Sequence, residues 1–114
     1  MKQKKIEGAI WFNMGDQGVK CHLWMQILAA ISESGSISGT AQKLGTSYSK
    51  IYNEIVQLNC AAEKKLVVSV RGGVGGGFAE LTTDGIQVLK LFVEAERSFN
   101  QFMCELNSQL EPFF

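Results

Sequence analysis

With 114 residues, 46% of them hydrophobic and only one proline, the chain has enough apolar surface for one modest core, and disorder is excluded as its ground state. Its apolar runs fall far short of the ~20 residues that cross a bilayer and the start MKQKKIEG has no signal-peptide core, so a cytoplasmic protein without a membrane partner is expected. Cys21, Cys60 and Cys104 are an odd set without CxxC spacing, which supports neither a disulfide framework nor a metal site.

The net charge is zero, which taken alone speaks against nucleic acid, but the charges are segregated along the chain. Residues 35–78 carry Lys43, Lys50, Lys64, Lys65 and Arg71 against Glu54 and Glu63, a balance of +3. Residues 79–114 carry Lys90 and Arg97 against Glu80, Asp84, Glu94, Glu96, Glu105 and Glu111, a balance of −4. The positive field therefore sits on the middle of the chain.

In chain order, the loose alternation of IEGAIWFNM over residues 6–14, ended by Gly15-Asp16-Gln17-Gly18, predicts an edge strand and a loop. Leu23, Ile27, Leu28 and Ile31 recur at helical spacing and predict a first helix over about 20–34, closed by Gly35. Ser36 is a candidate N-cap for a short helix with Ile37, Ala41 and Leu44 on its buried side, stopped at Gly45. Ser47 is a second N-cap, followed by Ile51, Ile55 and Leu58 at the same spacing. Two short amphipathic helices around a glycine turn make a helix-turn-helix.

LVVSVR and FAELT then read as the strands of a hairpin across GGVGGG, a wing. Thr82 or Thr83 can cap a last helix, Asp84 suits its N-terminal dipole, and nothing breaks the pattern before Pro112. The expected fold is mainly α with a small β-hairpin wing: one winged helix-turn-helix domain over 1–114, with a long dimerisation helix over about 82–111.

With Ile51, Ile55 and Leu58 facing inward, the outward face of the second short helix holds Ser49, Lys50, Asn53 and Gln57, flanked by Tyr48 and Tyr52. These groups suit base edges in a major groove, where Asn pairs bidentately with adenine; an ordinary solvated face would carry similar residues. Arg71 at the base of the wing is the candidate for a phosphate or minor-groove contact, its alternative being a surface ion pair with Glu80. GGVGGG lacks the Lys-Ser/Thr ending of a phosphate loop and does not open a helix. On the last helix Val88, Phe92, Ala95, Phe99, Phe102 and Leu106 form a heptad seam, widened by Leu89, Val93, Met103 and Leu110, so a homodimer is expected. Cys21 and His22 are adjacent and point about 100° apart, which leaves no catalytic, metal or cofactor site to propose.

The segment GSISGTAQKLGTSYSKIYNEIVQLN, followed by GGVGGGFAELTTDG, closely resembles the N-terminal DNA-binding domain of the ModE-type molybdate-responsive regulators, a LysR-like winged helix, over about residues 20–95. Gly35-Ser36-Ile37-Ser38, Leu44-Gly45, Ser47-Tyr48, Asn59, the glycine-rich wing, Leu81-Thr82 and Gly85 all fall in family order. The resemblance implies dimerisation through the first and last helices and binding of double-stranded DNA at a roughly palindromic operator. Ser47, Tyr48, Ser49, Lys50, Tyr52, Asn53 and Arg71 are the expected DNA contacts; Val88, Phe92, Phe99, Phe102 and Leu106 are the expected dimer contacts. The family often has Trp where this chain has Tyr52 and a basic wing residue where it has Val74. A molybdate-binding domain follows the long helix in full-length members, so the expectation is a stand-alone form without an oxyanion domain or cofactor. The rival expectations are a winged-helix module that binds protein rather than DNA, and a thiol-based redox sensor using one of the three cysteines.

Overall fold

Three side-chain caps divide the middle of the chain into helices. Ser36, in extended backbone, accepts the Gly39 N–H at 2.9 Å; Ser47 accepts the Lys50 N–H at 3.1 Å; Thr82 accepts the Gly85 N–H at 3.0 Å. The computed structural model, which describes residues 4–73 and 76–114, accordingly has α1 (Cys21–Ser34), α2 (Ile37–Leu44), α3 (Tyr48–Ala61) and α4 (Thr83–Leu110). Between α2 and α3 the backbone must reverse, and Gly45 does so at φ 66°, returning its N–H to the carbonyls of Ala41 and Gln42. The expected helix-turn-helix is present with its caps where the sequence places them.

The wing is the antiparallel pair β3 (Val67–Gly73) and β4 (Gly76–Leu81), with Val67 opposite Leu81 and Val70 opposite Phe78. A second pair near the start, β1 (Trp11–Asn13) with β2 (Gly18–Lys20), differs from the single edge strand expected over residues 6–14. The strand is shorter because Asn13 turns the chain: its Oδ1 accepts the Gly15 N–H at 2.7 Å, and the Met14 N–H reaches the Gln17 carbonyl at 2.7 Å. With Val19 its one large apolar residue, β2 gives no alternating pattern to read.

Trp24, Ile27, Leu28 and Ile31 from α1, Ile37 and Ala41 from α2, Ile51, Ile55 and Leu58 from α3, and Leu66, Val67 and Ala79 from the wing form one core. Trp24 joins Ile27, Leu28 and Ile31 on the buried side of α1, whereas Leu23, expected there, is half-buried. Asn59 joins α3 to the wing: its Oδ1 accepts the Leu66 and Val67 N–H groups at 2.9 and 3.1 Å, and its Nδ2 donates to the Val67 carbonyl at 3.0 Å.

The radius of gyration is 17.0 Å, against about 13 Å for a compact domain of this length, because α4 runs past the core. The N-terminal segment lies along that helix. Ile6 donates its N–H to Asn107 Oδ1 at 2.7 Å and accepts from Asn107 Nδ2 at 3.0 Å, Gly8 lies against the Phe99 ring, and the Phe12 ring sits 6.1 Å from Phe92 and 5.5 Å from Trp24.

The start of α4 is pressed against the wing. Thr82 donates its hydroxyl to the Lys65 carbonyl at 2.8 Å, and a Cβ on Gly85 would stand 2.1 Å from the Leu66 carbonyl oxygen. Backbone cannot yield as a flexible side chain does, so Gly85→Ala is expected to cost about 2 kcal/mol or more, read as a lower urea midpoint at unchanged slope. A variant as stable as the wild type would show that the wing and α4 separate freely.

Candidate nucleic-acid interface

Ile51, Ile55 and Leu58 face the core, which leaves Tyr48, Ser49, Lys50, Tyr52, Asn53 and Gln57 on the exposed side of α3. Tyr48 and Tyr52, one turn apart, stack with ring centres 6.3 Å apart and planes 11° from parallel. The wing brings Arg71 to the same face. Tyr48, Ser49, Tyr52, Asn53 and Arg71 line a shallow concavity of about 300 Å³. A larger one, about 560 Å³, lies between the start of α2, α3 and the wing; Ser36, Ser38, Tyr48, Tyr52, Arg71 and Phe78 are among its lining residues.

Five of the seven expected contact residues are thus gathered at one place, and the other two serve α3 itself. The Ser47 hydroxyl caps the helix. Lys50 is folded back on Glu54, with Nζ 3.1 Å from Oε1. Glu54, only 8% exposed, also accepts the indole N–H of Trp24 on Oε2 at 3.0 Å. A carboxylate in a core is costly unless its lone pairs are met, and these two donors meet them.

The ion pair of Arg71 with Glu80, the alternative raised by the sequence, does not form: the strand register sets Glu80 opposite Val68, and among the described residues Arg71 has no acidic partner. Val74 of the wing lies outside the described residues. Sequence reasoning gave Ser38 no contact role, naming it only within the family-ordered Gly35-Ser36-Ile37-Ser38, and missed Phe78 with Val70, an exposed apolar pair across the hairpin. Val56, also exposed on α3, was missed for lack of a polar group.

The adjacent Cys21 and His22 are parted by the helix. Cys21 is buried, and burial, with the Glu96 carboxylate nearby, pushes its thiol above the ordinary range; His22 is exposed, its Nδ1 3.4 Å from Glu96 Oε1. Cys60 and Cys104 are exposed. No helix among the described residues is long and apolar enough to cross a membrane. Along α4 the expected seam divides. Val88 and Phe92 pack on the core and Phe99 lies half-buried beside Gly8, while Phe102 is 58% exposed and Leu106 half-buried.

Residues 23–86, from the first turns of α1 through the helix-turn-helix and wing to the start of α4, match the model of the bacterial regulatory helix-turn-helix proteins of the LysR family. The chain belongs to this family. It is 38% identical over 66 residues to the transcriptional regulator ModE of Yersinia pestis, a match covering 58% of this chain and 25% of the relative, so the chain spans about a quarter of that protein's length. Among solved structures it is similar to ArgP from Mycobacterium tuberculosis, with a TM-score of 0.55, 25% identity, and 73% of this chain and 29% of that one covered. It shares the fold of a variant of MepR from S. aureus bound to an oligodeoxyribonucleotide, with a TM-score of 0.51, 18% identity, and 81% and 70% covered.

In this LysR-family chain the α3 face is held in place by Glu54. Glu54→Ala removes the acceptor of a buried indole N–H and is expected to cost about 1–3 kcal/mol in urea unfolding, whereas Glu54→Gln, which keeps an acceptor, should recover part of it. Equal stability of all three proteins would show that Trp24 alone seats α3.

Proposed function

We propose that the chain is the DNA-binding part of a transcriptional regulator that acts as a homodimer on a roughly palindromic operator, in the cytoplasm. It works by binding and not as an enzyme. The observation that carries this reading is the gathering of Tyr48, Ser49, Tyr52, Asn53 and Arg71 on one exposed face at the N-terminal half of α3. Such a face can enter a major groove while the wing follows the backbone. In this reading Ser49 and Asn53 meet base edges, and Lys50 joins them by leaving Glu54 for an acceptor on the DNA. Tyr48, Tyr52 and Arg71 hold the phosphates, and Ser47 fixes the first turn that presents them. The names of the relatives agree: one is a transcriptional regulator and another was solved on an oligonucleotide.

Dimerisation through α4 supplies the second half-site that a weakly basic face needs. Leu91, Ala95, Phe102 and Leu106 recur on one side of α4, and Leu91 and Phe102 are well exposed. Val88, Phe92 and Phe99 border that side and seat it on the rest of the chain. A second reading, a module that docks on protein, is favoured by the exposed Val70 and Phe78 of the wing. Footprinting at about 50 mM salt, where phosphate contacts are strongest, separates the two, since a protein-docking module leaves every genomic fragment unprotected.

Base reading and phosphate holding respond differently to mutation. Asn53→Ala is expected to relax discrimination at one base position by about 1–3 kcal/mol, while Arg71→Ala weakens all sites alike and flattens the salt slope by about 0.9. Titration of both variants against a site library measures this, and identical profiles would contradict the assignment. For assembly, Phe102→Glu sets an unpaired carboxylate on the seam, so the variant is expected to sediment as a monomer at concentrations where the wild type is a dimer. A dimeric variant would remove Phe102 from the interface.

A further inference from the structure

The outward side of α3 carries an apolar residue that the core does not use. Val56 is 43% exposed and takes no part in the apolar core. It does nothing for the helix as such, since a β-branched side chain loses rotamer freedom there and an exposed alanine would serve the helix better. Its position is nevertheless a particular one. Val56 lies one turn on from both Tyr52 and Asn53, so it stands between them on the outward side, in line with Ser49.

The chemistry around Val56 is short of charge. Lys50 is engaged by Glu54, and Arg71 stands on the wing side, beside Tyr48 and Tyr52. The middle of the face therefore offers the small polar groups of Ser49 and Asn53, the exposed rings of the two tyrosines, and Val56. Base edges in the major groove present donors and acceptors at every pair, but one apolar group, the 5-methyl of thymine. A valine over a donor or acceptor would take it out of water without a hydrogen bond in return, whereas a valine over the methyl buries apolar surface on both sides. From Ser49 to Val56 the helix rises about 10 Å, roughly three base-pair steps, so Ser49, Asn53 and Val56 can address neighbouring pairs when α3 lies along the groove.

We propose that Val56 is the seat of a thymine 5-methyl group, so that each half-site carries a T·A pair within one or two steps of the pair met by Asn53. This rests on the DNA-binding reading above and adds to it the base and the atom recognised. Recognition is then divided along α3, with hydrogen bonds made in its first two turns and an apolar contact in the third.

The test begins with a site selected by the full chain from a random-sequence duplex library. Each thymine of that site is then replaced by deoxyuridine, which removes the methyl and keeps every hydrogen-bonding atom of the base. At one thymine of each half-site the replacement is expected to weaken binding about fourfold, or about fifteenfold with both half-sites changed, as the loss of one buried methyl per half-site requires. 5-Bromodeoxyuridine, whose bromine is close to a methyl in size, should restore the affinity. Val56→Ala, shortened by two methyl groups, should discriminate thymine from deoxyuridine less than about twofold at that position and keep the base preference assigned to Asn53. Wild-type protein that is indifferent to deoxyuridine at every thymine overturns the proposal and leaves DNA binding standing. So does a Val56→Ala protein that keeps the full preference for thymine. A library from which no sequence is enriched overturns the DNA-binding reading itself, and this proposal with it.

Discussion

The carboxylate of Glu54 is the interaction on which the geometry of the exposed face depends. It lies on the inner side of α3, and its two oxygens are shared between the indole N–H of Trp24 in α1 and the ammonium of Lys50 one turn earlier on α3. Apolar contacts of Ile51, Ile55 and Leu58 would allow α3 to slide or roll a little against α1; a directed hydrogen bond from the most deeply placed ring of the core does not. The rotation that turns Ser49 and Asn53 outward is therefore set from inside the molecule. The same carboxylate holds Lys50 against the helix.

Polar side chains also fasten the remaining parts to this centre. Asn59 meets three backbone groups of Leu66 and Val67, Thr82 bridges Lys65 to the start of α4, and the Ala79 N–H bonds the Gly35 carbonyl. Each satisfies a backbone group where a helix or strand ends, and together they fix the wing beside α3. Arg71 reaches Tyr52 and Asn53 by this chain of end contacts and not by a salt bridge of its own.

The legible parts of the sequence were those whose physics is local. Ser36, Ser47 and Thr82 act within three residues of themselves, and the spacings of Ile37-Ala41 and Ile51-Ile55-Leu58 report a buried side without reference to any neighbour. From these the helix-turn-helix and the outward face of α3 followed, and the wing followed from the β-branched run LVVSVR and the glycines after it. Interactions between distant positions stayed hidden. Glu54 reads as one more surface acid until Trp24, thirty residues earlier, is known to face it. The strand at Gly18–Lys20 has too few apolar residues to announce itself, and nothing in IEGAIWFNM shows that it will lie on α4. The whole stripe on α4 was read as a seam for a second copy, and part of it is covered by this segment, with Phe12 beside Phe92 and Gly8 against Phe99.

The clasp of Ile6 by Asn107 joins residues 101 positions apart, closing a loop that contains the whole helix-turn-helix and wing. During synthesis Asn107 leaves the ribosome about a hundred residues after Ile6, so the segment around Ile6 must wait while α1, α2, α3 and the wing, whose contacts are far more local, assemble without it. Until α4 is complete, Phe12 lacks the Phe92 ring that it meets in the folded protein. The finished molecule hides this history, because a segment made early is held in place by residues made long after it.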